Sequence, residues 1–135
     1  IEITRKACER FKGKPVTVMN FVEGTRFRPE KHRAQGSPFK NLLRPKAGGV
    51  GFVFTTMGEQ ISSILNVTIA YPDGVYSFWE YICGRVKTIK VHVEEIPVTE
   101  NLLGDYVNDP AFRDFFQKWI NGLWVEKDKK LEQML

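Results

Sequence analysis

"DPAFRDFFQKWINGLW", residues 109–124, is the stretch that decides the fold. Its large apolar side chains recur at steps of three and one, the spacing that places them on one wide stripe of an α-helix. Asp109 is suited to accept hydrogen bonds from the first helical amides, and Pro110 suits the first helical position. The pattern therefore predicts a long amphipathic helix of about five or six turns.

The apolar stripe of this helix needs a surface to cover it. Its members are Phe112, Phe115, Phe116, Trp119, Ile120, Leu123 and Trp124. Packing in a protein core is one use for such a stripe. Contact with a membrane surface is the other, since Trp and Phe beside Lys127, Lys129 and Lys130 would suit a lipid interface.

Shorter elements precede this helix, and their order predicts the fold class. They are helix 2–12, buried strand 15–22, a long loop at 23–47, helix 47–60 ended by Gly58, strand 63–72, short helix 75–84 and strand 86–98. The aromatic residues of helix 75–84 are expected to cover a hydrophobic surface. Alternation of helices and strands predicts a single α/β domain whose mixed or mostly parallel sheet is covered by helices.

Composition is that of a globular protein. The chain has 135 residues, of which 42% are hydrophobic and 27% charged, values that argue against disorder and fibrous structure. Cys8 and Cys83 are far apart and lack metal-ligand spacing, so we expect reduced thiols and no metal site. No apolar run reaches about 18 residues, so the chain as given should be soluble. Since Ile1 lies inside a helical pattern, we expect residues 1–135 to be the C-terminal portion of a longer domain.

Positive charge is concentrated in the N-terminal third. Residues 1–46 contain twelve Lys or Arg against four Asp or Glu, whereas residues 47–135 contain eight against twelve. This asymmetry predicts an anionic partner for the basic third, although an ordinary solvated surface would have the same composition. Nucleic acid is a weak candidate, because the basic residues are not interleaved with aromatic residues on a recognisable sheet or helix.

Common catalytic and cofactor motifs are absent from the sequence. The glycines of "KAGGVG", residues 46–51, fit neither the phosphate-binding loop nor the dinucleotide fingerprint, so close helix packing explains them better. No Gly-x-Ser-x-Gly elbow occurs. His32 and His92 lack a carboxylate at a spacing typical of a local dyad. We therefore expect no catalytic residue and no cofactor within these 135 residues.

A polar turn follows the predicted strand 15–22, in the sequence "NFVEGTRFRPE" at residues 20–30. In open α/β sheets ligands bind where strands end. Arg26 can hold a phosphate with two parallel hydrogen bonds, and Thr25 can donate one more. Glu23 would then orient the arginine or a loop amide, or accept from a hydroxyl. The alternative is a surface ion pair between Glu23 and Arg26, which would stabilise the fold little.

Three blocks in this order resemble the glycerolipid acyltransferases, the family that includes 1-acylglycerol-3-phosphate (lysophosphatidate) acyltransferases. "FVEGTR" resembles the family's F-P-E-G-T-R block, with Val22 where proline is usual. "LLRPKAGGVGFVF" looks like the family's following lysine and glycine block, and "LNVTIAYP" is similar to its later apolar strand, with Asn66 where proline is frequent. Together the blocks span residues 18–72, and the rest of the pattern resembles a bacterial inner-membrane subgroup.

The resemblance implies a function and a set of site residues. The implied reaction moves a fatty acyl group from acyl-CoA or acyl carrier protein thioester to the hydroxyl of a lysophospholipid such as 1-acylglycerol-3-phosphate. The substrate-binding residues it implies are Glu23, Gly24, Thr25, Arg26 and Lys46, with Arg26 and Lys46 on the acceptor phosphate.

The resemblance also implies features that the 135 residues lack. The family's base, the histidine of a His-x-x-x-x-Asp motif, is expected N-terminal to Ile1, so the chain alone should be inactive. The parent protein is expected at the cytoplasmic face of a bacterial inner membrane. The alternative function is a non-catalytic module that binds anionic lipid or a membrane surface through the basic loop and the aromatic helix.

Overall fold

A computed structural model describes residue 11, residues 13–74 and residues 76–135. The helices of this part are α1 (Pro29–Gln35), α2 (Gly48–Met57), α3 (Phe78–Ile82) and α4 (Pro110–Met134), and its strands are β1 (Ser63–Ala70) and β2 (Lys90–Pro97). Short 3₁₀ turns occupy Gly58–Gln60 and Glu100–Leu102. The predicted helix 2–12 falls almost wholly outside the described residues.

The long C-terminal helix forms as its sequence predicts. The Asp109 carboxylate accepts hydrogen bonds from the backbone amides of Ala111 and Phe112, at 2.9 and 3.2 Å. Phe116, Ile120 and Trp124 are buried, and they pack with α2 and the loop before it in one hydrophobic core. These stripe residues of α4 therefore pack against protein, which confirms core packing for this part of the stripe, while Phe115 is exposed.

Helix α2 lies close to the segment that leads into α4. A Cβ at Gly51 would stand 2.3 Å from the ring of Tyr106, so only glycine permits this approach. The Thr55 hydroxyl donates to the carbonyl of Gly104 and accepts from the amide of Tyr106. The interpretation of the glycines as helix-packing residues is thus confirmed at Gly51.

The described strands form one antiparallel pair. The register runs from Ser63 opposite Pro97 to Ala70 opposite Lys90. Helix α4 packs on one face of the pair, and the Lys90 ammonium donates to the carbonyl of Met134 at 2.8 Å. An antiparallel pair is compatible with a mixed sheet, so the α/β fold class stays a prediction.

Residues 15–22 do not form the predicted buried strand. They pair with neither strand of the sheet, and the side chains of Met19 and Phe21 are largely exposed. A run of β-branched and apolar residues indicates that a segment suits a sheet, but burial requires a neighbouring strand. Within the described residues that neighbour is missing, so the composition of the segment misleads.

The predicted loop 23–47 contains a short helix. Pro29 opens α1, and Gly36 ends it in the left-handed region at φ +53°, with its amide bonded to the Arg33 carbonyl at 3.1 Å. Proline at the start and glycine just past the end are typical helix boundaries. This signal is present in the sequence, although the seven-residue helix between the two is too short for a clear apolar stripe.

Helix α3 occurs where it was predicted, but its surroundings differ. Ser77 and Glu80 cap it reciprocally, so local hydrogen bonds define its start. Phe78, Trp79 and Tyr81 are exposed rather than laid against a hydrophobic surface in the described part of the chain. Among the described residues, no helix is both long and apolar enough to span a membrane.

Candidate functional site

The polar motif at residues 23–26, called the EGTR turn below, is a tight backbone turn. The Gly24 amide donates to the carbonyl of Phe21 at 2.8 Å, and Gly24 adopts φ +69°, in the left-handed region where glycine has no steric cost. Two residues before Gly24, the Val22 carbonyl accepts from the amide of Lys46 at 2.8 Å. The turn is therefore tied to the residue that precedes the N-cap of α2.

Lys46 also reaches the turn with its side chain. A Cβ built on Gly24 would lie 3.5 Å from Lys46 Cδ and 3.6 Å from its Nζ, so the ammonium rests against the glycine backbone. Lys46 is exposed, and its ammonium forms no ion pair with any described residue. The sequence places these two residues more than twenty positions apart, and the structure brings them together.

Thr25 contacts a second lysine, Lys31 of α1. The Lys31 ammonium donates a hydrogen bond to the Thr25 hydroxyl oxygen. The Lys31 side chain is half-buried, and helix α1 carries it back toward the turn that precedes the helix. Lys31 was not predicted as a site residue, because the short helix α1 that returns it to Thr25 was not predicted.

Arg26 follows Thr25 and is exposed. Among the described residues it forms no ion pair, so neither Glu23 nor another carboxylate there neutralises its guanidinium. The alternative of a surface ion pair between Glu23 and Arg26 is therefore wrong, and so is the expectation that Glu23 orients this arginine. Arg26 belongs to the turn, and Lys31 and Lys46 contact it; these three residues are called the cationic cluster below.

Glu23 belongs to the turn but is engaged with the protein. Burial raises the pKa of its carboxyl above the ordinary value, while the Leu43 backbone, Trp124 and Lys127 act in the opposite direction. The buried Trp124 indole N–H has no hydrogen bond of normal geometry among the described residues, so Trp124 acts on the carboxyl by proximity. Of the roles predicted for Glu23, contact with a loop backbone is the one that its surroundings support.

Lys127 is the cation that faces Glu23. Its ammonium donates to the Asn66 side-chain carbonyl at 2.8 Å and to the Val67 carbonyl at 2.5 Å, and it lies 5.5 Å from the centre of the Trp124 ring. Burial lowers the pKa of this ammonium, and the charge of Glu23 partly opposes that effect. Lys127 therefore joins α4 to β1 by hydrogen bonds, and its charge acts on Glu23 of the turn.

Lys127 was predicted only as one of the lysines beside the aromatic residues of α4 that would suit a lipid interface. A usable signal existed, because Lys127 falls three residues after Trp124 and four before Leu131, both of which are buried on the stripe of α4. A lysine on the apolar stripe of a helix is expected to have a buried partner.

The two histidines lie in ordinary structural contacts. His32 Nε2 stands 2.6 Å from the carbonyl oxygen of Phe39, and its ring lies 5.6 Å from the ring of Phe27. His92 lies opposite Thr68 in the antiparallel pair. Neither contact brings a carboxylate to the imidazole.

A separate cleft of about 730 Å³ lies between α4 and residues 38–45. Its walls include Arg44, Gln117 and Asp128, and no residue of the EGTR turn lines it. The cleft is therefore not part of the candidate site.

The chemistry of the turn is that of an anion site. Two ammonium groups touch its backbone or its hydroxyl, Arg26 of the turn adds a guanidinium, and the carboxylate of the turn is partly buried under the influence of the Lys127 charge. Such a set of donors suits an oxyanion with several acceptor oxygens, above all a phosphate group. The geometry brings Gly24, Thr25 and Lys46 of the predicted set together, keeps Arg26 beside them, and directs Glu23 to the protein interior.

Comparison with known proteins adds a biochemical context. The chain is 27% identical to a 2-acyl-1-lysophosphatidylinositol acyltransferase of Saccharomyces cerevisiae over 138 aligned residues, which is 88% of this chain and 33% of that protein. The chain thus spans about a third of the length of this curated relative. No protein-family model matches the chain, and no solved structure matches it. The similarity supports an acyltransferase family and a transferase role in lipid metabolism.

Proposed function

We propose that this chain supplies the acceptor-phosphate site of an enzyme that transfers a fatty acyl group to the hydroxyl of a lysophospholipid. The observation that supports it most is the approach of Lys46 to Gly24 and of Lys31 to Thr25, beside an Arg26 unpaired among the described residues. Positive charge is thereby gathered at one turn, where the acceptor's phosphate needs it. The similarity to a yeast lysophosphatidylinositol acyltransferase supports the class of reaction.

Each residue of the turn has a distinct task in this proposal. Arg26 binds two phosphate oxygens in a fork, Lys46 neutralises a third, and the Thr25 hydroxyl donates one hydrogen bond. Gly24 permits the left-handed backbone that lets the phosphate approach. Glu23 binds no substrate and instead fixes the turn against α4.

The proposed reaction transfers the acyl group from the sulfur of a thioester to the oxygen of a hydroxyl. The acceptor's hydroxyl oxygen attacks the carbonyl carbon of an acyl-CoA or acyl carrier protein thioester, the carbon–sulfur bond breaks, and an ester and a free thiol result. The proton of the hydroxyl passes through a base to the thiolate that leaves. We place that base outside the 135 residues, in the His-x-x-x-x-Asp motif that the family resemblance implies, and the parent protein at the cytoplasmic face of a bacterial inner membrane.

The test is an acyl-transfer assay with the protein expressed from its complete reading frame. Labelled acyl-CoA and acyl carrier protein are supplied as donors, and lysophosphatidate is the acceptor. Arg26→Ala removes a charge-assisted contact, which costs on the order of 1.5 to 3 kcal/mol and corresponds to a rise of roughly 10- to 150-fold in the acceptor KM.

Arg33→Ala is the matched control for the arginine substitution. Arg33 is an exposed arginine in the last turn of α1, so its loss changes the net charge equally without touching the turn. We expect its acceptor KM to stay within about twofold of the parental value, as for ordinary exposed positions. Equal KM values for the two variants, or no acyl transfer with either donor, would contradict the proposal.

A further inference from the structure

The contact between Lys31 and Thr25 has a consequence for the choice of acceptor. An ammonium can only donate, so the hydroxyl oxygen of Thr25 is the acceptor in this contact. The Thr25 hydrogen is then free to be donated to another acceptor. Lys31 therefore orients the hydroxyl and also places a positive charge at the turn.

The charge balance of the turn is unusually positive. Arg26, Lys31 and Lys46 provide three cations, and Glu23 is the only carboxylate of the motif. Glu23 is partly buried and the charge of Lys127 acts on it, so this carboxylate offsets the three cations less than an exposed one would. Among the described residues, no carboxylate forms an ion pair with a member of the cationic cluster.

Three cations suit a phosphate monoester better than a phosphodiester. A phosphate monoester has a second ionisation near pH 6, so that at neutral pH it carries about −1.5 to −2 charges, whereas a phosphodiester carries one. Arg26 and Lys46 together already match a diester. The electrostatic attraction of the third cation for the phosphate is strongest when the phosphate is a dianion.

We propose that Lys31 is a specificity-determining residue that makes the acceptor site favour a terminal phosphate monoester over a phosphodiester head group. This inference rests on the proposed function, since it concerns the same turn. It adds a residue that the family resemblance did not supply and assigns to that residue the choice between monoester and diester acceptors. The preference should strengthen as the monoester loses its second proton.

The experiment compares two acceptors in the protein expressed from its complete reading frame. Lysophosphatidate is the monoester, and lysophosphatidylinositol is the diester. For Lys31→Met we expect the KM for the monoester to rise about tenfold and that for the diester to rise less than about threefold, with kcat nearly unchanged for both. Lys31→Arg retains the charge and should restore the preference.

Dependence on pH separates charge recognition from a structural role. Between pH 5 and pH 7.5 the parental preference for the monoester should increase as its second proton, with a pKa of about 6, is lost. In Lys31→Met this increase should be much smaller. If Lys31→Met does not fold, Thr25→Val serves as the second variant. It keeps the lysine and should raise both KM values by a similar factor.

The outcomes distinguish the inference from the function on which it rests. If Arg26→Ala weakens both acceptors but Lys31→Met leaves their KM ratio and its pH dependence unchanged, the specificity role is overturned and the phosphate site stands. A rise confined to the KM of acyl-CoA would assign Lys31 to the donor's phosphates and would also overturn it. Absence of acyl transfer to either acceptor overturns both proposals.

Discussion

Replacement of Gly24 by alanine tests the geometry of the EGTR turn. Gly24 has φ +69°, and an added Cβ would meet Lys46 Cδ at 3.5 Å, an ordinary contact distance. The substitution therefore strains the backbone without a steric clash. Gly36 is a matched control, since it has φ +53° and nothing within 4 Å of its added Cβ.

The expected loss of stability follows from two opposing terms. Holding an alanine in the left-handed region costs about 1 to 2 kcal/mol. Alanine also restricts the unfolded chain relative to glycine, which returns about 0.4 to 1 kcal/mol. The net loss is therefore about 1 kcal/mol for each variant, or a factor of about five in the folding constant.

Thermal unfolding followed by circular dichroism measures this loss. With an unfolding entropy of about 2.1 cal/mol/K per residue, a loss of 1 kcal/mol corresponds to about 3 to 4 °C in Tm for a chain of this size. Gly24→Ala and Gly36→Ala should show similar decreases. In the acyl-transfer assay only Gly24→Ala should raise the acceptor KM, because only its methyl group lies in the turn beside Lys46, where the phosphate is proposed to approach.

Two results would refute this reasoning. A Gly24→Ala protein as stable as the parental chain, beside a weakened Gly36→Ala protein, would show that Gly24 does not adopt the left-handed conformation. Equal acceptor KM values for the two variants would show that the turn at Gly24 and Lys46 does not bind the acceptor phosphate.

Other substitutions test the contacts around the turn and the helix that supports it. Burial raises the pKa of Glu23 above its ordinary 4.5, so protonation of this carboxyl favours the folded state. This contribution to the free energy of unfolding is complete below the unfolded pKa and is lost as pH rises through the folded pKa. Urea unfolding from pH 4 to pH 7 should therefore show the parental chain losing stability relative to Glu23→Gln, and a gain would contradict the assignment. Lys127→Met should destabilise the chain by about 1 kcal/mol, and by less when Glu23→Gln is also present. In this double-mutant cycle, strictly additive losses of stability would argue against coupling between Lys127 and Glu23. Asp109→Ala should cost about 1 kcal/mol through loss of the N-cap of α4, measured by the same urea titration, and no loss would show that the cap is not formed.

The sequence was most informative where one element carries several independent signals. Helix α4 has a cap at Asp109, a proline at the first helical position and a regular apolar stripe, so its type, start and burial could all be predicted. β1 likewise follows from an apolar run closed by a turn. By contrast, residues 15–22 have the composition of a strand without a described neighbour, and burial depends on neighbours that a local pattern does not contain.

The candidate site was predictable only in part for a similar reason. The motif around Arg26 and the following Lys46 could be identified because their order along the chain resembles a family pattern. The role of Lys31 depends on a short helix that returns it to Thr25, and the role of Lys127 depends on α4 packing beside Glu23. Contacts of this kind arise from tertiary packing. The sequence indicates them only where a charged side chain falls on an apolar stripe, as Lys127 does.

The most direct test of the central claim is the dependence of acyl transfer on the phosphate of the acceptor. In the protein expressed from its complete reading frame, kcat/KM is compared for lysophosphatidate and for the monoacylglycerol that lacks its phosphate, with and without Arg26→Ala. We predict a strong preference for the phosphorylated acceptor that falls at least about tenfold when Arg26 is removed. A preference that is absent, or one that survives the loss of Arg26 unchanged, would contradict the assignment of the EGTR turn as the phosphate site.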